Sequence, residues 1–83
     1  MFQSLNTPED LNWLKTTHLK EITIPFNSAI IYGNEDSPHR IEIFQGTDPE
    51  IGDTCFAFEP NEDGEYCLIG HMSKTCSIRI EGR

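Results

Sequence analysis

Three histidines (His18, His39, His71) and three cysteines (Cys55, Cys67, Cys76) are the side chains of this 83-residue chain best suited to hold a transition metal or to act as nucleophiles. Structural zinc sites are built from close ligand pairs, because two ligands a few residues apart reach one tetrahedral ion without a long loop. No Cys-x-x-Cys or His-x-x-x-His pair is present, so the pattern predicts no metal site and no cofactor. Calcium could draw on oxygens in Asn34-Glu35-Asp36 or Asn61-Glu62-Asp63-Gly64-Glu65, but neither has EF-hand spacing and both read as solvated turns. Nucleophilic catalysis needs a thiol or hydroxyl beside a base. Cys55 follows Asp53-Thr54, and Ser73 lies between His71 and Lys74, with no Gly-x-Ser-x-Gly elbow. Cysteines in apolar strands are packing residues with inert thiols. The expectation is a protein that is not an enzyme.

Charge is the most distinctive property. Fourteen acidic residues against six basic ones give a net charge of −8. Between Glu35 and Glu65 ten acids face the single base Arg40, so that segment carries −9 and the remainder +1. A surface of this sign repels nucleic-acid backbones and attracts basic proteins. No Gly-rich loop enters a helix to cradle phosphate, and no basic stripe lies beside the aromatic residues, so direct nucleic-acid binding is not expected. No apolar run is long enough for a membrane span, and the N-terminus has no basic region followed by an apolar stretch. Three cysteines cannot all pair within one chain. Reduced thiols and a cytoplasmic location are the expectation.

These residues must be positioned by a small fold. A chain of 83 residues makes one domain, residues 1–83, and buries only about 60–65% of the surface its unfolded form exposes. Thr7-Pro8-Glu9-Asp10 carries a capping residue, a proline suited to the first helical position and two acids for the positive end of the helix dipole. With Leu11, Leu14 and His18 at helical spacing, this predicts a helix over about 8–17, and Trp13 beside the stripe as an anchor of the core or of a partner. After Leu19 the period changes to two. Strands are predicted over about 20–24, 28–32, 40–45, 54–59, 65–70 and 76–81.

The strongest local signal is Thr54 to Ile69, two aromatic and β-preferring runs around Pro60-Asn61-Glu62-Asp63-Gly64. Pairing Glu59 with Glu65 would set Phe58 opposite Tyr66 and Phe56 opposite Leu68. Pairing Gly70 with Cys76 would then bring Leu68 to Ile78 and Tyr66 to Ile80. The other face of that hairpin carries Cys55, Ala57, Cys67 and Ile69. The last four residues, Ile80-Glu81-Gly82-Arg83, spell a factor Xa cleavage sequence, yet the strand pattern favours reading them as native. The predicted fold is α+β: one short N-terminal helix followed by a five- or six-stranded antiparallel sheet, strongly curved or closed into a small barrel.

Binding is the function that this reading favours. The first expectation is an inhibitor or immunity-type protein whose acidic loops cover the basic cleft of a protein partner such as a nucleic-acid-processing enzyme. Its contact residues would be the carboxylates Glu35, Asp36, Asp48, Glu50, Asp53, Glu62 and Asp63, with Tyr32, Phe44 and Trp13 as aromatic anchors. The alternative is a structural or regulatory subunit that docks through its sheet face on a larger complex or on a second copy as a homodimer. In that case the acids serve solubility.

Overall fold

The computed structural model describes residues 2–45, 54–73 and 79–80. In chain order the elements are β1 (Phe2–Leu5), α1 (Pro8–Thr17), β2 (Ser28–Asn34), β3 (Ser37–Gln45), β4 (Thr54–Pro60), β5 (Tyr66–Ser73) and β6 (Arg79–Ile80). All strand pairs are antiparallel, and the order across the sheet is that of the sequence. The class is therefore α+β, with one short helix and one antiparallel sheet. Neither strong curvature nor closure into a barrel finds support: among the described residues β1 pairs only with β2 and β6 only with β5, so both remain edges.

The helix begins where its sequence directs. Thr7 is extended (φ −86°, ψ 153°) and its Oγ1 accepts the Asp10 amide at 3.2 Å. Leu14 is fully buried, with Leu11 and Trp13 packed partly against the same core. At the other end the Leu14 carbonyl accepts both the His18 and Leu19 amides at 3.0 Å, which closes the last turn and releases the chain.

Residues 20–24 do not form the expected strand. Their alternation is real: Leu19 is buried and Ile22, Ile24 and Phe26 are half-buried, while Lys20, Glu21, Thr23 and Pro25 are exposed. One-sided burial produces period-two patterning whether or not a ladder forms. The sheet has no place for this segment because the free edge of β2 is occupied by β1, four residues whose Phe-Gln-Ser-Leu pattern carries no clean alternation. The segment instead packs over the core and is tied at its far end, where the Gln45 amide donates to the Pro25 carbonyl at 2.6 Å.

Two turns also differ from expectation, each for a local reason. β2 and β3 run to Asn34 and Ser37, leaving only Glu35 and Asp36 between them. The Asn34 side-chain oxygen accepts the Asp36 amide at 2.8 Å, and Gly33 adopts φ +94° beside a bulge. In the β4–β5 hairpin, Asn61 organises the loop: its Oδ1 accepts the Asp63 and Glu65 amides, both at 2.9 Å, and Gly64 turns with φ +84°. The five loop residues are thus Asn61 to Glu65. Phe58 pairs with Leu68 rather than Tyr66, and beyond a bulge Phe56 pairs with His71 rather than Leu68. A displacement by two residues preserves parity, so Phe58, Tyr66 and Leu68 still share the core side.

β5 continues to Ser73 because Thr54 and Cys55 extend its ladder to Ser73 and Met72, so the chain does not turn at His71. Ile80 consequently pairs with Gly70, not Tyr66. The predicted positions of Cys76 and Ile78, and residues 81–83, lie outside the described residues.

Leu5, Leu14, Leu19, Ala29, Ile31, Ile41, Ile43 and Phe58 form the buried cluster on the helix side of the sheet. Ile41 and Phe58 are both 0% exposed and directly opposed. Phe58→Ala is expected to lower the unfolding free energy by about 3–5 kcal/mol, measured by urea denaturation with circular dichroism. A loss below about 1 kcal/mol would mean that the site is not packed as described.

Candidate protein-interaction site

In an antiparallel meander every second connection returns to the same end of the sheet. The β2–β3 turn and the β4–β5 loop therefore lie at one end, and they bring exposed Glu35 and Asp36 into one neighbourhood with exposed Glu62, Asp63 and Glu65. Asp48, Glu50 and Asp53 fall outside the described residues. The strands flanking them meet at Gln45 and Thr54, a pair at the opposite end. The topology thus gathers two of the three acidic loops and separates the point of departure of the third.

The C-terminus of α1 arrives at the same acidic end. The His18 Nε2–H donates to the Glu35 carbonyl at 2.9 Å, a direction required because a carbonyl only accepts. Trp13 meets the His18 ring edge-on at 5.4 Å between centroids, and His18 meets Tyr66 in the same manner at 5.5 Å. The Tyr66 hydroxyl then donates to the Pro38 carbonyl at 2.7 Å. Burial raises the Tyr66 pKa above the ordinary phenol value. A run of three rings thereby fastens the helix end to β3 and to the β4–β5 hairpin. Between the helix end and that hairpin lies a cleft of about 470 Å³, walled by Thr17–Ile22 on one side and Gly64–Cys67 on the other.

The opposite face of the sheet holds a polar row. Tyr32 pairs with Arg40 across β2 and β3, Glu59 pairs with Cys67 across β4 and β5, and an ion pair between Arg40 and Glu59 links the two. The Tyr32 hydroxyl donates to Glu42 Oε1 at 2.8 Å, Arg40 Nε to Glu42 Oε2 at 2.8 Å, and Arg40 Nη1 to Glu59 Oε2 at 3.3 Å. The hydrogen bond to Glu42, followed by burial, raises the Tyr32 pKa. Burial works against the Arg40 charge, but the Glu42 and Glu59 carboxylates outweigh it and its pKa rises. Ile30 and Phe44 flank this network, both half-buried, with Phe44 opposite Cys55.

The three expected aromatic anchors are therefore divided. Trp13 belongs to the ring run at the acidic end, whereas Tyr32 and Phe44 lie on the outer face. The semi-apolar set Cys55, Ala57, Cys67 and Ile69 is not an open contact surface: Cys55 and Ala57 are 5% and 3% exposed, and Ile69 is buried in the bulge region. Only Cys67 is exposed, with Asn61 Nδ2 donating to its Sγ at 3.6 Å. His18, Lys20, Glu21, Tyr66 and Cys67, which shape the cleft, were not among the predicted contact residues. No local pattern joins positions 17–22 to 64–67; only the fold does.

Among the described residues no three His, Cys, Asp or Glu side chains gather to hold an ion, and no helix is long and apolar enough to cross a membrane. Comparison with protein-family models, curated proteins and solved structures finds no match to this chain.

The two described thiols differ in environment. Burial, reinforced by the Glu42 charge, pushes Cys55 from the ordinary value of 9.0 up to about 11. Iodoacetamide at neutral pH is expected to modify Cys67 well before Cys55, read by peptide mass mapping; equal rates would contradict the burial of Cys55. A raised folded-state pKa means that the native protein holds this proton more tightly than the unfolded chain, so its stability is complete below pH 9 and declines as pH rises toward 11. Tyr32 and Tyr66 act in the same direction at alkaline pH. Thermal melts at pH 8 to 11 should show this decline, with a shallower slope for Cys55→Ala.

Proposed function

We propose that this chain is a small acidic protein-binding module of the inhibitor or immunity type, acting in the cytoplasm, that covers a basic cleft of a partner such as a nuclease. The observation that carries this reading is the convergence of Glu35, Asp36, Glu62, Asp63 and Glu65 on one end of the sheet. Exposed carboxylates held on two short, internally hydrogen-bonded turns stand in for the phosphates of a nucleic-acid substrate. They accelerate encounter with a basic surface through a long-range field, while aromatic contacts supply residence time. The field weakens beyond about 8 Å at physiological ionic strength, so association should be strongly salt-dependent. Free thiols at Cys55 and Cys67 are consistent with a reducing compartment.

A second reading, a structural or regulatory subunit docking through its sheet, is favoured by the pairing of β1 on one side only among the described residues and by half-buried Ile30 and Phe44 on the outer face. In that reading the acids serve solubility alone.

The two separate in a lysate pull-down at low ionic strength with stepwise salt elution. Its control is a variant with Glu35→Gln, Asp36→Asn, Glu62→Gln, Asp63→Asn and Glu65→Gln. The inhibitor reading expects a basic protein that elutes as salt rises, is recovered at least tenfold less by the variant, and loses its enzymatic activity when the wild-type chain is added. A neutral partner held through high salt by both proteins, or recovery of the chain alone, would replace it with the subunit reading.

A further inference from the structure

We propose that the cleft between Thr17–Ile22 and Gly64–Cys67 receives an arginine side chain of a basic partner. The inference rests on the protein-binding reading and names the chemical group its acidic end accepts.

The cleft, at about 470 Å³, lies within the few-hundred to thousand Å³ range of ligand pockets. Its walls are of two kinds. Half-buried Ile22 and Tyr66, backed by buried Leu19, give an apolar lining of the sort that the methylene stem of a long cationic side chain covers while its head remains polar. Glu21 and Glu65, both exposed, stand on opposite walls, one from each segment. A planar guanidinium forks its donors to carboxylates and stacks on aromatic rings, and it is less strongly hydrated than an ammonium; this selects arginine over lysine.

The site is preformed. The Asn61 side chain pins the Asp63 and Glu65 amides, the Tyr66 hydroxyl is held by Pro38, and His18 is held by Glu35. These bonds fix the hairpin wall and the two rings, so the ordering that binding requires falls mainly on the exposed Glu21 and Glu65 side chains. An anionic ligand would meet Glu21 and Glu65 at the cleft and Glu62 and Asp63 in the same loop, so it is excluded by charge. Lys20 is the one cation among the lining residues and opposes the proposed ligand.

The test uses a defined probe, the blocked tripeptide acetyl-Gly-Arg-Gly-amide, titrated into the 15N-labelled full chain, with the citrulline analogue as an uncharged isostere. Saturable amide shifts centred on residues 17–22 and 64–67 are expected for the arginine peptide and not for citrulline. Glu21→Gln with Glu65→Gln should weaken binding roughly three- to tenfold, the magnitude of two exposed ion pairs, and Lys20→Gln should tighten it. Shifts spread without saturation over all the acidic turns, equal binding of citrulline, or indifference to the double substitution would overturn the proposal. Glu21 is absent from the five-site variant of the pull-down, and the double variant retains Glu35, Asp36, Glu62 and Asp63. If the peptide fails while the five-site variant still loses a basic partner, the arginine cleft is wrong and the protein-binding reading stands.

Discussion

Burial of Phe58 against Ile41 and Leu68 is the contact on which the remaining architecture depends. It joins β3, β4 and β5 at one level of the sheet, and the helix and the 19–26 segment close over the same side. In a chain this short the fraction of surface removed from water is small, so a few large side chains carry a disproportionate share of the stability. The tolerance for register error is correspondingly low. A one-residue slip of β4 would send Phe58 to the outer face and Ala57 into the core.

That constraint also decides where the charges go. Ionised carboxylates cannot enter so small an apolar core, so they occupy the connections, the first turn of the helix and the outer face of the sheet. The meander then sorts the connections between two ends. Asn34 and Asn61 reinforce the sorting, because each accepts backbone amides that the tight turn would otherwise leave unpaired. On the outer face the single base of the acidic segment, Arg40, is bound to Glu42 and Glu59, so it does not neutralise the acidic end.

The coupling of the helix to that end is made by rings rather than by ion pairs. Trp13 and His18 come from α1 and its C-terminal cap and Tyr66 from β5, and two hydrogen bonds to backbone carbonyls hold the last two in place. The cleft beside them exists because the chain leaves the helix at His18 and crosses the core without joining the sheet. Had residues 20–24 paired as a strand, the space between the helix end and the β4–β5 hairpin would have been differently bounded.

The helix was legible in Thr7-Pro8-Glu9-Asp10, because capping and dipole effects are local, and the alternation of Ile41 and Ile43 with Arg40, Glu42 and Phe44 was legible because burial on one side of a strand imposes period two. The concentration of acids between Glu35 and Glu65 was equally plain in the composition of that segment. Tertiary structure decided the rest. Period two cannot tell a paired strand from an extended segment packed on a core, and so 20–24 and Phe2–Leu5 exchanged roles at the edge of β2. Hairpin parity was readable from burial, but the two-residue displacement depended on Asn61 capping the loop. The meeting of His18 with Glu35 and Tyr66, and with it the cleft, required the whole sheet, because residues far apart in sequence become neighbours only when the strands between them have paired.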